Sequence, residues 1–224
     1  ISREEQDAYT IRSYSRSDSA TKEGRFTSEI IPVSIPQKKG DPLLINEDEE
    51  FRKVDFSKIP GLKPVFSSDG TVTAASASTM NDGASALVLM SEAKVKELGL
   101  QPLCRIIAYG EAEQEPEWFT TAPTIAAPLA AKRAGITVND VDFFEVNEAF
   151  AVVPLAFSKV LNIDVNTLNV NGGAVSLGHP LGSSGSRIVC TLSNILNQQS
   201  AKIGMAAICN GGGGASAILI ENSR

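Results

Sequence analysis

From about residue 71 to the end, the chain alternates apolar runs of strand length with capped, helix-length segments. That alternation restricts the fold more than any other feature. "ASALVLM" (84–90), "LCRIIAYGE" (103–111), "VDFFEV" (141–146), "TLNV" (167–170), "GMAAIC" (204–209) and "ASAILIE" (215–221) read as strands. Helices are predicted between them. "SEAKVKELG" has Ser91 as its cap and Gly99 as its stop. "PTIAAPLAAKRAG" is opened by Pro123 and closed by Gly135, with Pro128 inside. "NEAFAVVPLAFSKVL" and "LGSSGSRIVCTLSNILNQ" complete the set. Strand alternating with helix implies α/β layers whose strands are covered on both faces.

Residues 1–24 read differently. Ser2 and Glu5 form a capping-box pattern and Gly24 a stop, so a helix is predicted. Its apolar positions are sparse, which implies that it leans on chain elsewhere. Residues 25–70 are rich in proline and charge and predict irregular backbone with one or two short strands. The mixed charges between Lys38 and Lys63 predict a solvated surface.

Several function classes are excluded at this stage. A net charge of −6 argues against nucleic acid as the main partner. No run approaches the ~18 apolar residues of a membrane span. Cys104, Cys190 and Cys209 are odd in number and widely spaced, so they predict neither a disulfide framework nor, with a single histidine, a zinc site. Cys190 falls at the spacing of Ile188, Leu192 and Ile195 and is expected in the core. Cys104, in a strand, is also expected to be structural.

Three polar residues fall at strand ends, where open α/β sheets form their sites. Asn147 follows "VDFFEV", His179 follows "TLNV" through a glycine-rich loop, and Cys209 ends "GMAAIC". Each has a plain structural reading: a helix cap, a loop histidine bonded to backbone, and a small core residue. The surroundings favour chemistry for two of them. Pro180 forces an extended backbone on His179, between Gly178 and Gly182. Cys209 is followed by "NGGGG" (210–214), which exposes backbone amides beside a thiol. Imidazole suits proton transfer near neutral pH. The loop is not a Walker, dinucleotide or GxSxG motif.

"VNEAF" (146–150), "NVNGGAVSLGHPLGSSGSR" (169–187) and "CNGGGGAS" (209–216) resemble the C-terminal signatures of thiolases, specifically acetoacetyl-CoA thiolases (acetyl-CoA C-acetyltransferases). "GTVTAASASTMNDGASALVLMSEAK" (70–94) resembles their substrate-loop segment, and "EDEEFRKVDFSKIPGLKPVF" (47–66) is similar to the mitochondrial branch. The resemblance implies a layered α-β-α-β-α fold built of two similar halves. This chain supplies the C-terminal half, with 1–76 as part of the substrate-binding loop domain and 77–224 as the C-terminal domain. The N-terminal domain, which carries the family's nucleophilic cysteine, is absent.

For the site, the resemblance implies His179 as base toward that missing thiol and as holder of the thioester oxygen. Asn147 holds a water at the same oxyanion hole, Cys209 is the acid/base at the acetyl methyl, and the Gly211 amide belongs to a second oxyanion hole. Ser78, Ala74 and Phe66 would line the coenzyme A tunnel. No cofactor is required, and coenzyme A thioesters (acetyl-CoA, acetoacetyl-CoA) are the substrates. A potassium ion would bind backbone carbonyls of Ala74, Ala75, Ala77 and Val175 together with a tyrosine, whose position here is Phe51. Phe119-Thr120 stands where the branch using 2-methyl substrates has Phe-Pro. The resemblance further implies a homo-oligomer, dimer or tetramer, with "ASAILIE" and the loop segment near its contacts, and a mitochondrial or alternatively cytoplasmic location. A truncated, non-catalytic acyl-CoA-binding or interaction protein is the alternative reading.

Overall fold

A computed structural model describes residues 1–223. Its centre is a four-stranded sheet in the order β3-β6-β5-β4, formed by β3 (Cys104–Glu113), β4 (Phe143–Val146), β5 (Ile203–Cys209) and β6 (Gly214–Asn222). β6 pairs antiparallel with both β3 and β5, while β4 and β5 are parallel. Two short exposed strands, β1 (Val33–Ile35) and β2 (Leu43–Ile45), pair separately within the irregular region, as its texture predicts. β6 lies inside the sheet, so "ASAILIE" borders no free edge, and the outer strand on that side is β3.

Period-two alternation sends side chains of β5 to opposite faces. Met205, Ala207 and Cys209 meet α3 (Pro123–Arg133) and α4 (Val152–Leu161) in one core; Ala206 and Ile208 meet α6 (Ser184–Gln198) in another. Three layers, α-β-α, result. α3 lies close on the sheet because its inner face is all alanine and because β3 carries Gly110: a Cβ there would stand 2.5 Å from the Ala126 carbonyl oxygen. The remaining helices are α1 (Arg3–Lys22), α2 (Glu92–Glu97) and α5 (Ala174–Leu177). Ser91 caps α2, Ser2 and Glu5 form the expected capping box of α1, and Gly24, Gly99 and Gly135 follow their helices with positive φ.

The structure departs from the sequence reading in four places. Residues 84–90 form no strand: Val88 is 85% and Leu89 70% exposed. A strand needs a neighbour for its amides and carbonyls, and none stands beside this segment among the described residues. "TLNV" makes no ladder, only isolated bridges from Leu168 to Phe144 and from Val170 to Gly172. Asn169 then turns left-handed (φ 46°), and its carboxamide takes over the ladder, accepting from Val146 N and donating to Val146 O at 2.8 Å each. The helix expected from Asn147 starts only at Val152, because Asn147 N still donates to Ala207 O on β5 and residues 149–151 bond residues 76–78. Cys190 is half-buried rather than core, with its thiol toward the Ala86 carbonyl.

The sparse apolar face of α1 also has an answer. Its buried residues include Gln6, Ser13 and Ser17, which bond chain outside the helix, beside Tyr9 and Tyr14, which pack against Phe51, Ala151 and Val175. Ser13 and Ser17 bond Ser176 on α5, and Arg16 donates to the Leu168 carbonyl.

Candidate active site

His179 sits where the sequence makes the backbone stiff. Gly178 has φ 94°, and a Cβ on it would overlap the Asn81 carboxamide. The His179 amide donates to Thr79 O at 2.8 Å. Its ring joins two elements: Nδ1 lies 2.6 Å from Ser184 Oγ at the start of α6, and Nε2 lies 3.3 Å from Asn147 Nδ2 at the end of β4. The tautomer follows from donor counting. Ser184 Oγ gives its hydrogen to the Pro180 carbonyl at 3.1 Å, so it accepts from Nδ1–H. A carboxamide nitrogen only donates, so Nε2 presents a lone pair. Burial, and secondarily the positive charge of Arg187, lower the imidazole pKa from its ordinary value, which keeps it neutral at pH 7.

Asn147 is 1% exposed, and its Oδ1 has no hydrogen-bond partner among the described residues. A buried carbonyl oxygen without a donor costs roughly 1–3 kcal/mol, so this atom is suited to hold a water. Next to it, Glu148 is wholly buried. Tyr9 Oη and Ser13 Oγ donate to it at 2.7 Å, Asn169 Nδ2 at 2.9 Å and Val175 N at 3.0 Å. The four donors tie α1, α5 and the turn before His179 to the end of β4.

Cys209 closes β5 one strand away. Val146 and Ala207 are register partners, so Cys209 leaves the sheet on the α3 face and Asn147 on the α6 face, both at the same rim. Burial pushes its thiol up to about 11, so it is protonated at neutral pH. In the following loop, Asn210 takes three of the glycine amides. Its Oδ1 accepts from Gly212 N and Gly214 N, and its carbonyl accepts from Gly213 N. The Gly211 N–H alone remains without a partner among the described residues, and Gly211 is exposed.

The structure brings His179 and Asn147 into direct contact and places Cys209 and Gly211 on the adjoining strand end. Ser78 lies nearby, its amide and hydroxyl both donating to Ala149 O at 3.0 Å. Phe66 is exposed and meets Phe150 edge-on, with Phe119 on the other side of that ring. A shallow, open hollow of about 350 Å³ lies between residues 81–85 and 180–183; His179, Asn147 and Cys209 do not line it. Phe51 is buried with Tyr9, Tyr14, Ala151 and Val175. Phe51 itself offers no oxygen, but the phenol hydroxyls of Tyr9 and Tyr14 share its cluster with Val175.

Residues 1–93 match the N-terminal domain of thiolase, and residues 100–222 match the thiolase C-terminal domain. The chain belongs to the thiolase family. It is 58% identical over 222 residues to an acetyl-CoA acetyltransferase of Schizosaccharomyces pombe, covering 99% of this chain and 56% of that protein. It is 53% identical to the mitochondrial acetyl-CoA acetyltransferase of Bos taurus, at 99% and 52% coverage. The Acat5 thiolase of Ascaris suum, solved in complex with coenzyme A, superposes with a TM-score of 0.93 at 46% identity, covering 99% of this chain and 56% of that one. Human mitochondrial 3-ketoacyl-CoA thiolase gives 0.94 at 39% identity, with the same coverage. This thiolase chain spans about half the length of the relatives it matches.

Sequence reasoning passed over Ser184, Asn210 and Asn169. Ser184 lay five residues after the only histidine, within "GSSGS", and Asn210 directly before four glycines. A side chain able to fix an imidazole or order a glycine loop is the signal at both places.

Proposed function

We propose that this thiolase chain supplies the acid–base groups and oxyanion donors of an acetyl-CoA C-acetyltransferase, which joins two acetyl-CoA molecules into acetoacetyl-CoA and coenzyme A, or reverses that reaction. The nucleophilic thiol comes from an N-terminal thiolase segment packed on residues 77–224, with 1–76 as part of the substrate-binding loop domain. The observation that carries this reading is the imidazole with Nδ1–H fixed by Ser184 and an Nε2 lone pair met by Asn147 Nδ2 at 3.3 Å, while Asn147 Oδ1 has no partner among the described residues.

In synthesis His179 Nε2 takes the proton of the nucleophilic thiol, and the thiolate attacks the carbonyl of the first acetyl-CoA. The departing coenzyme A thiolate takes the proton of Cys209 and leaves as a thiol. The Cys209 thiolate then removes a proton from the methyl of the second acetyl-CoA. His179, now carrying hydrogen on Nε2, donates toward that molecule's thioester oxygen. A water whose other hydrogen goes to Asn147 Oδ1 donates to the same oxygen. The enolate attacks the acetyl group, and the Gly211 N–H supports the tetrahedral oxyanion. Collapse frees acetoacetyl-CoA and the nucleophilic thiolate, which His179 reprotonates. Cys209 ends as a thiol, its starting state. Read backwards, the buried thiol protonates the carbanion of thiolysis, which suits its raised pKa.

Ser78, Ala74 and Phe66 line the path of the coenzyme A arm in this reading. A potassium ion would be held in this reading by the backbone carbonyls of Ala74, Ala75, Ala77 and Val175, with Phe51 contributing no oxygen. The similarity to mitochondrial relatives supports a mitochondrial location, which fractionation tests; assembly into dimers or tetramers is tested by sedimentation. The decisive experiment mixes the chain with the N-terminal half of a thiolase relative and assays acetoacetyl-CoA cleavage. Turnover in the mixture and none with either piece alone supports the proposal. Coenzyme A binding without turnover in the mixture overturns it in favour of a non-catalytic acyl-CoA-binding protein.

A further inference from the structure

Behind the imidazole lies an acid–base contact that the reaction does not use. Glu145 stands on β4 two residues before Asn147, so both side chains leave the α6 face of the sheet. Arg187 stands in the first turn of α6, three residues after Ser184. Glu145 is 1% exposed, and its Oε2 lies 3.6 Å from Arg187 Nη1. Neither Glu145 Oε1 nor Arg187 Nη1 has a hydrogen-bond partner among the described residues. Buried groups in this condition are costly to keep, and an apolar pair of similar size would hold α6 on β4 more cheaply. What the contact joins is specific: each residue belongs to the element that carries one of the two partners of His179.

We infer that Arg187 and Glu145 are positioning residues for His179, fixing the first turn of α6 against the end of β4 so that Ser184 and Asn147 grip the imidazole from both sides. Neither touches a reacting atom. Further charges face the pair from other elements: Arg16 on α1, Glu148 after β4, and Glu29 and Asp48 in the irregular region. Glu29 accepts from Thr191 and Asn194 of α6, so the same helix is held from its outer side as well. Burial outweighs the Arg187 charge and pushes Glu145 up to about 8, so near neutral pH Glu145 is mostly protonated, Glu29 and Asp48 are the other carboxyls facing Arg187, and the guanidinium bears on His179.

The inference rests on the reading of His179 given above, yet its test does not depend on turnover. His179 is the only histidine, so the imidazole nitrogen resonances of the labelled chain report it without assignment. In the wild-type chain the Nδ1–H form dominates. Arg187→Met is expected to lower the ratio of Nδ1–H to Nε2–H by about five-fold or more, the equivalent of roughly one hydrogen bond, and Arg187→Lys to restore part of it. Glu145→Leu removes the contact from the β4 side and is expected to lower the same ratio; it provides the measurement if Arg187→Met does not fold. Glu145→Gln keeps the contact and, because Glu145 is already uncharged where His179 titrates, is expected to leave the His179 midpoint unchanged. A folded Arg187→Met chain, or failing that Glu145→Leu, with the wild-type ratio of Nδ1–H to Nε2–H overturns the inference. Absence of catalysis in the wild-type mixture would instead overturn the proposed function and leave these signals as they are.

Discussion

Replacing Tyr9 by phenylalanine tests how α1 is held. The hydroxyl donates to Glu148 Oε1 at 2.7 Å and accepts from Asn169 Nδ2 at 3.1 Å, in a wholly buried site. Asn169 Nδ2 keeps Val146 O and Glu148 Oε1, and Glu148 keeps Ser13, Asn169 and Val175. The loss is therefore one hydrogen bond to a charged acceptor, about 2 kcal/mol, near the low end for such bonds because the acceptor stays satisfied. For a domain of this size that lowers Tm by about 4–8 °C. Tyr14 is the internal control. It lies on the same helix, buried and edge-on to Phe56, with no hydrogen bond from its hydroxyl among the described residues, so Tyr14→Phe should cost less than about 0.5 kcal/mol. Urea unfolding of the three chains measures both. Burial and Glu148 hold the Tyr9 phenol protonated well above pH 10, so the wild-type chain binds more protons folded than unfolded there and loses stability as pH rises past 10. Tyr9→Phe removes that part of the slope. Equal losses in the two variants, or an unchanged alkaline slope, would refute the hydrogen-bonded account of α1.

Further outcomes follow from the site. Ser184→Ala removes the acceptor of Nδ1–H and should cost about 1–2 kcal/mol in tautomer preference, a five- to thirty-fold shift seen in imidazole nitrogen spectra and in kcat with the N-terminal half present. The Cys209 thiol, pushed up to about 11, keeps its proton when folded, so its contribution to stability is complete below the ordinary thiol value of 9.0 and is lost between there and about 11; Cys209→Ala flattens that interval of the stability–pH profile. His179 binds its proton less readily folded than unfolded, so stability falls as pH drops below 6.5, and a nitrogen-detected titration should give a midpoint under that value.

Much of this fold was legible wherever a segment carried its own reasons. The capping box of Ser2 and Glu5, the Pro123 start and Gly135 stop of α3, and the apolar runs of β3, β5 and β6 were each decided locally. The misreadings came where another segment decides. "ASALVLM" has strand composition but no strand beside it, and "TLNV" is replaced as a strand by the carboxamide of Asn169. Residues 147–151 carry helical composition but are drawn into pairing with β5 and residues 76–78. At the site, Asn147, His179 and Cys209 stood out because polar groups at strand ends are unusual. Ser184, Asn210 and the Arg187–Glu145 contact did not, since their meaning lies in which atoms they satisfy or leave unpaired.

In a Cys209→Ala chain combined with an N-terminal thiolase half, acetyl transfer loses a proton donor that water can replace, whereas condensation loses the base at the methyl. The nucleophilic thiol should still accept an acetyl group from acetyl-CoA, visible as an acetyl adduct by mass spectrometry. Acetoacetyl-CoA formation should fall by at least about 10²-fold, as expected when a general acid–base is deleted. Condensation at the wild-type rate by this variant would contradict the account, because the thiol at the end of β5 would then have no part in moving the methyl proton.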